Sequence, residues 1–183
     1  ALLIGGAFAL VAAALPGWSR LLAALSVPVV VGLAATPLVA LFPLLARVLG
    51  YGPSTVRALA AVMVFFPVFV HARSGLLGTP AAQTDVLRSL GAGRWTTFSR
   101  LVLPAALPRI ATGLRLAVGS SVVAAVVGES LIGRNGLGVE FIYAYNLLEL
   151  PRAFGAALVI VVVSLAAFSA ATAAESALHS RWT

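Results

Sequence analysis

Hydrophobic residues fill this chain in long runs, and short polar stretches separate them. Residues 54–72, 110–128 and 153–174 are each nearly free of charged side chains. A helix that crosses the roughly 30 Å hydrocarbon core of a membrane needs about 20 such residues. These runs therefore predict membrane-spanning helices. Residues 1–15 are also uncharged but shorter, and we expect them to be the end of a truncated span in a longer protein.

A further apolar run, residues 21–46, contains no charge but has prolines at positions 28, 37 and 43. Because no polar loop separates its two halves, we expect one long, proline-kinked span there. With the other runs, this predicts an all-α membrane bundle of about five spans, the first incomplete. We expect one domain over residues 1–183.

The composition excludes an ordinary soluble domain. Hydrophobic residues make up 61% of the chain, charged residues 9%, and the mean hydropathy is +1.08, whereas soluble domains have about 25% charged residues. There is no cysteine, and therefore no disulfide or metal–thiolate site. The sequence contains no nucleophile–histidine–acid set, metal cluster or glycine-rich phosphate loop. We therefore predict no catalytic residue, no bound metal or cofactor, and no ATPase site.

The arginines are distributed unevenly between two polar stretches, a basic insert at residues 73–108 and a connector at 129–151. If the insert is cytoplasmic, eight arginines lie inside and four outside, as the positive-inside rule requires. The inner set is Arg20, Arg73, Arg88, Arg94, Arg100, Arg109, Arg115 and Arg181, and the outer set is Arg47, Arg57, Arg134 and Arg152. This topology accounts for the net charge of +7, so nucleic acid is not predicted as a partner.

The insert has the pattern of two short helices, over residues 81–90 and 94–102, joined at residues 91–93. Each helix has an apolar side, formed by Val86, Leu87 and Leu90 in the first and by Trp95, Phe98, Leu101 and Val102 in the second. Glycine at the joint permits a sharp turn. Pro104 and Pro108 lack amide donors, so we expect helix breaks or helix starts there, which together set the angle of return to the membrane.

The spacing within this insert resembles the cytoplasmic "EAA" loop of permease subunits from binding-protein-dependent ATP-binding-cassette importers. Six identities fall at the family spacings over 24 positions: Gly91, Ala92, Phe98, Leu103, Pro104 and Pro108. Leu101 replaces an isoleucine. The family's first three residues are replaced by Asp85-Val86-Leu87, which keeps the acid and enlarges two small side chains.

The resemblance implies that the insert docks in a cleft of a separate cytoplasmic ATPase subunit, which binds ATP and magnesium. The implied coupling residues are Asp85, Leu90, Gly91, Ala92, Phe98, Leu103, Pro104 and Pro108. It also implies a second permease subunit, in a homodimer as is usual in the family, an extracytoplasmic solute-binding protein, and a multi-pass location in the bacterial inner membrane. The alternative from the residues alone is an amphipathic hairpin that lies at the membrane interface.

Further stretches are similar to the branch of this family that serves nitrate, alkanesulfonates and taurine. They are the proline-rich run 36–44, Phe65-Phe-Pro67, Gly113-Leu-Arg-Leu-Ala117, Gly136-Leu-Gly138 and the ending Glu175 to Trp182. We expect a small solute of that kind. Osmoprotectant permeases share the insert and a Gly-Leu-Gly stretch, so they remain an alternative branch.

Small residues recur at every fourth position of the run 110–128, which is typical of close helix packing in lipid: Gly113, Ala117, Ser121 and Ala125. In an importer the same helix would line the solute path, where Thr112, Ser120 and Ser121 would offer hydroxyl groups. Glu129 ends the run, and we favour a structural or gating role for it, with Arg134 as a partner.

Two other classes of protein remain open. An ion-coupled secondary transporter would carry buried ionisable residues and internal repeats, and neither is evident in the sequence. His71 lies at the inner boundary, where interfacial anchoring is favoured over a proton relay. The second class is a membrane scaffold protein, in which the match of the insert to the family spacing would be accidental.

Overall fold

A computed structural model describes residues 1–15, 20–132 and 135–179, and all regular structure in these ranges is helical. The helices are α1 (Leu2–Ala14), α2 (Arg20–Ala35), α3 (Leu38–Leu49), α4 (Pro53–Leu77), α5 (Ala81–Ser89), α6 (Arg94–Thr97), a π-helical turn (Phe98–Val102), α7 (Leu103–Ile132), α8 (Leu137–Asn146) and α9 (Leu150–His179). The predicted all-α class is confirmed.

Three helical segments are long and apolar enough to cross a membrane: Pro53–Leu77, Arg94–Ile132 and Leu150–Ala177. They contain the three predicted spans, whereas Leu2–Ala14 and Leu38–Leu49 are apolar but shorter. Large apolar side chains cover the outer surface of the bundle, for example Leu158, Val162 and Leu165 on α9. An apolar exterior on a helical bundle is what contact with lipid requires. The chain is a polytopic helical membrane protein.

The prediction of one kinked span over residues 21–46 is wrong, because the helix stops at Ala35 and restarts at Leu38. Pro37 has an extended ψ of 129°, and a proline also disfavours the helical conformation for the residue before it, Thr36. Pro28 and Pro43 lie inside α2 and α3 without ending them. The three prolines therefore have different effects, which the sequence pattern did not distinguish.

The core is an antiparallel pair, α4 and α7, with α1 packed on α4. Gly75 lies against Ala106 at one end of the pair, and Gly128 lies against Val56 at the other. We call the first the insert end and the second the distal end. The buried face of α7 consists of Ala106, Ile110, Gly113, Ala117, Ala124 and Gly128.

The predicted small-residue stripe is correct for only its first half. Gly113 and Ala117 are buried, while Ser121 and Ala125 are half-buried. An α-helix has 3.6 residues per turn, so a strict four-residue spacing drifts off the contact face within three turns. At Gly113 a β-carbon would lie 2.8 Å from the β-carbon of His71 and 3.0 Å from the carbonyl oxygen of Pro67, so the two backbones approach closely there.

Four of the described arginines lie near the two ends of the bundle. Arg73, at the end of α4, and Arg109, near the start of α7, lie at the insert end, while Arg57 and Arg152 lie at the distal end. This grouping matches the inner and outer sets of the positive-inside analysis. Arg134 and Arg181 lie outside the described residues.

Candidate coupling insert and solute path

The two ends of the insert are held together where α4 ends and α7 begins. A β-carbon on Gly75 would lie 3.0 Å from the carbonyl oxygen of Ala106, so the helices touch there. The guanidinium of Arg109 donates a hydrogen bond to the carbonyl oxygen of Ser74 at 2.6 Å. The two ends of the segment 76–108 are therefore held close together by the contact between α4 and α7. No residue of α5 is buried.

The predicted joint between the two insert helices is a Schellman motif. Gly91 has φ of +79°, its amide donates to the carbonyl of Arg88 at 2.9 Å, and the amide of Ala92 donates to the carbonyl of Leu87 at 3.0 Å. This pair of bonds ends a helix and requires a left-handed residue. A β-carbon at Gly91 would meet no atom within 4 Å, so the backbone conformation and not a lack of space requires glycine here.

Breaks or helix starts were predicted at Pro104 and Pro108: Pro104 is the second residue of α7, at a helix start, and Pro108 does not break the helix. The helix continues from Arg94 to Ile132, and both prolines lie inside α7. In a regular α-helix the ring of Pro104 would clash with the carbonyl four residues earlier. The π-helical turn relieves this by widening the helix, with the amide of Leu103 donating to the carbonyl of Phe98, five residues back. The second half of the insert is thus a direct extension of a spanning helix.

Apolar side chains are exposed around the turn of the insert. Leu90, Trp95 and Val86 are 77%, 70% and 60% exposed, and Trp95 stacks on Phe98 with 5.8 Å between ring centroids. Asp85 does not cap α5, whose N-cap is Pro80. It lies within the helix and pairs with Arg88 at 3.4 Å. The protruding tip therefore presents apolar surface flanked by charge.

The other predicted coupling residues lie along the insert and its return. Gly91 is exposed and Ala92 is half-buried beside it. Phe98 and Pro104 are half-buried, while Leu103 and Pro108 are exposed. Gly91 and Ala92 therefore lie at the turn of the insert, and the residues from Phe98 to Pro108 follow one helix towards its base.

A cavity of about 230 Å³ lies where the break between α2 and α3 meets α4 and α7. Thr36 and Leu38 line it from the break, Met63 and Phe66 from α4, and Ser120 from α7. Its position midway along α4 and α7 is mid-depth in the predicted membrane. The hydroxyl of Ser120 donates to the carbonyl of Leu116 at 3.2 Å, and its lone pairs remain able to accept a hydrogen bond.

The structure separates the predicted path residues from one another. Of these residues only Ser120 lines the cavity. The hydroxyl of Ser121 donates to the carbonyl of Val118 at 2.8 Å. The hydroxyl of Thr112 lies 2.6 Å from a carboxylate oxygen of Glu175, which directs it towards α9.

Glu129 stabilises the turn between α7 and α8 at the distal end. Its carboxylate accepts a hydrogen bond from the amide of Gly138 at 3.1 Å. Gly136 has φ of +127°, and a β-carbon there would collide with the Glu129 carboxylate. The hydroxyl of Ser130 lies 2.9 Å from the carbonyl of Gly138 in the same turn. The predicted partner, Arg134, lies outside the described residues.

Sequence analysis missed an ion pair within the spans. Arg115 on α7 lies 3.1 Å from Glu175 on α9, and their side chains are 29% and 12% exposed. Each charge lies in a helix that is otherwise apolar around it, and an ionisable residue in such a run predicts a partner. Both side chains are half-buried, and the sequence pattern had placed Arg115 only among the inner arginines, without a partner.

These features define a class of protein. It is a polytopic helical membrane protein with a helical insert whose two ends are held together and with a cavity between its helices. Residues 5–182 match the family described as the binding-protein-dependent transport system inner membrane component. The chain belongs to this family.

The names of two relatives of this chain assign them different solutes. A "Probable ABC transporter permease protein" of Haemophilus influenzae is 35% identical over 90% of this chain and 67% of its own length. The formylaminopyrimidine transport permease protein ThiX of Halalkalibacterium halodurans is 30% identical over 82% of this chain and 60% of its own. SsuC of Bacillus subtilis, whose name assigns it to aliphatic sulfonates, is 29% identical over 88% of this chain and 58% of its own. The chain thus spans 58% to 67% of these relatives.

Proposed function

We propose that this chain is the permease subunit of an ATP-binding-cassette importer in the bacterial inner membrane. It forms a path for a small solute and couples that path to a separate ATPase. The observation that carries the proposal is the insert: its turn residues occur at the spacing of the family's coupling loop, and its second half continues directly into α7.

The exposed tip of the insert supports docking on a protein partner. Val86, Leu90 and Trp95 lie in the basic, polar segment of the chain, where water would otherwise cover them. An apolar patch rimmed by charge marks an interaction site on a water-exposed surface. The cleft of an ATPase subunit would bury these side chains and leave Asp85 and Arg88 at its rim.

The continuity of the insert with α7 supports transmission of movement. Closure of an ATPase dimer would displace the tip, and a helix that runs unbroken from Arg94 to Ile132 carries a displacement at one end to its whole length. α7 contributes Ser120 to the cavity. Nucleotide-driven movement of the tip would therefore change the cavity, and rigid-body movement of this kind is a common means of switching.

The solute is a small molecule delivered by an extracytoplasmic binding protein to a dimer of permease subunits, which we expect to be identical. Nitrate, an alkanesulfonate or taurine is one choice, supported by the sulfonate relative SsuC. A small heterocycle is the second, supported by ThiX and by a cavity wall that is apolar apart from the hydroxyls of Thr36 and Ser120. An osmoprotectant is a third choice from the shared insert.

Substitution of Gly91 tests the coupling function. Gly91→Val forces a branched side chain into left-handed backbone, which costs about 1–2 kcal/mol and distorts the tip. In the assembled importer we expect ATP hydrolysis to persist while solute uptake per ATP falls about tenfold.

Gly93→Val is the matched control, because Gly93 has an ordinary φ of −69° and open space at its β-carbon. It should keep most of the uptake. Normal uptake per ATP in Gly91→Val would contradict the coupling function, and would favour a secondary transporter, a scaffold or an interfacial hairpin.

A further inference from the structure

The inner half of α9 is less buried than its distal end. α9 packs on α7 and α8, and its buried residues, Ala153 and Ala156, are both near the distal end. From Ala157 to Ala177 no described residue of α9 is buried. Its half-buried positions recur at helical spacing, at Ala157, Ile160, Ser164, Ala167 and Ala171, so this half of α9 lies against the bundle without being fully enclosed.

A cluster of polar and aromatic side chains adds a specific contact between α7 and α9, within the spans and on the side of the insert. Arg115 pairs with Glu175 at 3.1 Å, and its guanidinium lies 5.6 Å from the centre of the Phe168 ring. Thr112, one turn earlier on α7, lies 2.6 Å from the other carboxylate oxygen of Glu175. We call Thr112, Arg115, Phe168 and Glu175 the α7–α9 clasp.

The contacts of the clasp fix one orientation of α9 against α7, and breaking them costs free energy. Charge-assisted hydrogen bonds are shorter and stronger than neutral ones, and an ionised group that loses its partner within an apolar span is destabilised. Phe168 and Glu175 are seven residues apart, two helical turns, and so hold Arg115 from two levels of the same face of α9. Sliding or rotation of α9 along α7 would break at least one of these contacts.

The clasp lies on the same helix as the insert. Arg115 is on α7, which begins at Leu103 where the π-helical turn ends. A displacement of residues 94–102 therefore reaches Arg115 through the backbone hydrogen bonds of one helix. Ala106 and Arg109 link this movement to α4, and the clasp links it to α9.

We propose that the α7–α9 clasp is a positioning device that makes α9 move as one body with the coupling insert. Thr112 thus acts in transmission between helices and does not line the solute path. This inference rests on the proposed coupling function. Without the clasp, α7 would move under the ATPase while α9 lagged, and the membrane seal around the path would no longer follow the nucleotide state.

Charge exchange tests the proposal in the full permease assembled with its ATPase and binding protein. Arg115→Glu and Glu175→Arg each place like charges together, and we expect about tenfold less uptake per ATP hydrolysed, with basal hydrolysis retained. The double exchange R115E/E175R restores an opposite pair, and we expect it to recover most of the loss. A purely local packing role would lower the amount of folded protein without changing this ratio.

The ion pair at the distal end provides a matched control. Arg152 pairs with Glu140 of α8 at 2.6 Å and with Glu149 at 3.1 Å, but it is far from the insert. Arg152→Glu should leave uptake per ATP within about twofold of the unmodified protein. An equal loss in Arg152→Glu, or no recovery in the double exchange, would overturn the proposal.

A distance measurement keeps the proposal testable if the single exchanges fail to assemble. Because the chain has no cysteine, spin labels are attached at Leu116→Cys on α7 and Ala170→Cys on α9, with labelled permease diluted so that each dimer carries one labelled copy. We expect the same distance with and without ATP, and a broader distribution after Glu175→Gln. A shift of about 3 Å or more with ATP while the clasp is intact would overturn the proposal.

Different results would contradict the coupling function of the insert and the role of the clasp. If Gly91→Val transports normally, the coupling function is wrong, whatever the spin labels report. If Gly91→Val uncouples but the distance between α7 and α9 changes with nucleotide, the insert is the coupling element and the clasp is not its link to α9.

Discussion

The two interfaces of α7 are built on different principles. Against α4 it presents mostly glycine and alanine, and the backbones approach closely at Gly75 and at Gly113. Against α9 no described residue beyond Ala156 is fully buried, and a charged cluster around Arg115 joins the two helices. Close packing fixes a pair of helices by shape, whereas an ion pair fixes one point and one orientation. We conclude that α4 and α7 form the rigid core and α9 is tethered to it.

Gly113→Leu should have the largest effect, because it breaks the shape-based interface. A β-carbon there already meets the β-carbon of His71 at 2.8 Å, and overpacking of this kind costs about 3 kcal/mol or more. We expect a lower midpoint of thermal unfolding in detergent and a lower yield of folded protein.

Gly119→Leu is the control for that change, because a β-carbon at Gly119 meets nothing within 4 Å on the same helix. It should unfold near the temperature of the unmodified protein. Equal destabilisation by the two substitutions would mean that helix propensity, and not contact with α4, determines the loss.

Glu175→Leu should have an intermediate effect, because it leaves Arg115 without its carboxylate. Since Arg115 is still partly exposed, we expect a loss of about 2 kcal/mol. Adding Arg115→Leu should recover much of the stability, because an apolar pair suits the lipid-facing surroundings. Thermal unfolding of the two single variants and the double variant gives the coupling energy directly. Additive losses would argue against a direct interaction.

Arg152→Ala should have the smallest effect, a change in the midpoint of thermal unfolding well below that of Glu175→Leu. Its pair with Glu140 has side chains that are 49% and 43% exposed, so water replaces the lost contact. Thermal unfolding again measures the change. A loss as large as that of Glu175→Leu would remove the distinction between a sheltered clasp and an exposed pair.

Much of this architecture is predictable from local pattern. Run lengths predicted the spans, and Gly91 predicted the turn of the insert, because both depend on residues that are near each other in the chain. Local rules failed at prolines: Pro37 breaks a helix, Pro104 follows a π-helical turn at the start of α7, and Pro108 lies inside α7. That outcome depends on the contacts that hold the helix on each side.

Pairings between distant helices were not predictable from pattern. Thr112 and Arg115 meet Glu175 because of the rotation of α7 and α9 about their axes, which the packing of α4 against Gly113 and Ala117 determines. The apolar run around Arg115 indicated that a partner exists, but not which of the acids supplies it.

The central claim is that the tip of the insert contacts an ATPase and moves with its nucleotide state. A cysteine at Ala92, in a chain with no native cysteine, is crosslinked to a cysteine in the cleft of the ATPase produced with this permease. Exposed Tyr145 of α8, at the distal end, serves as the control position. The account predicts a crosslink at Ala92 whose yield changes with ATP, and none at Tyr145. Failure to crosslink at Ala92, with both proteins present in the membrane and the insert accessible from the cytoplasm, would contradict it.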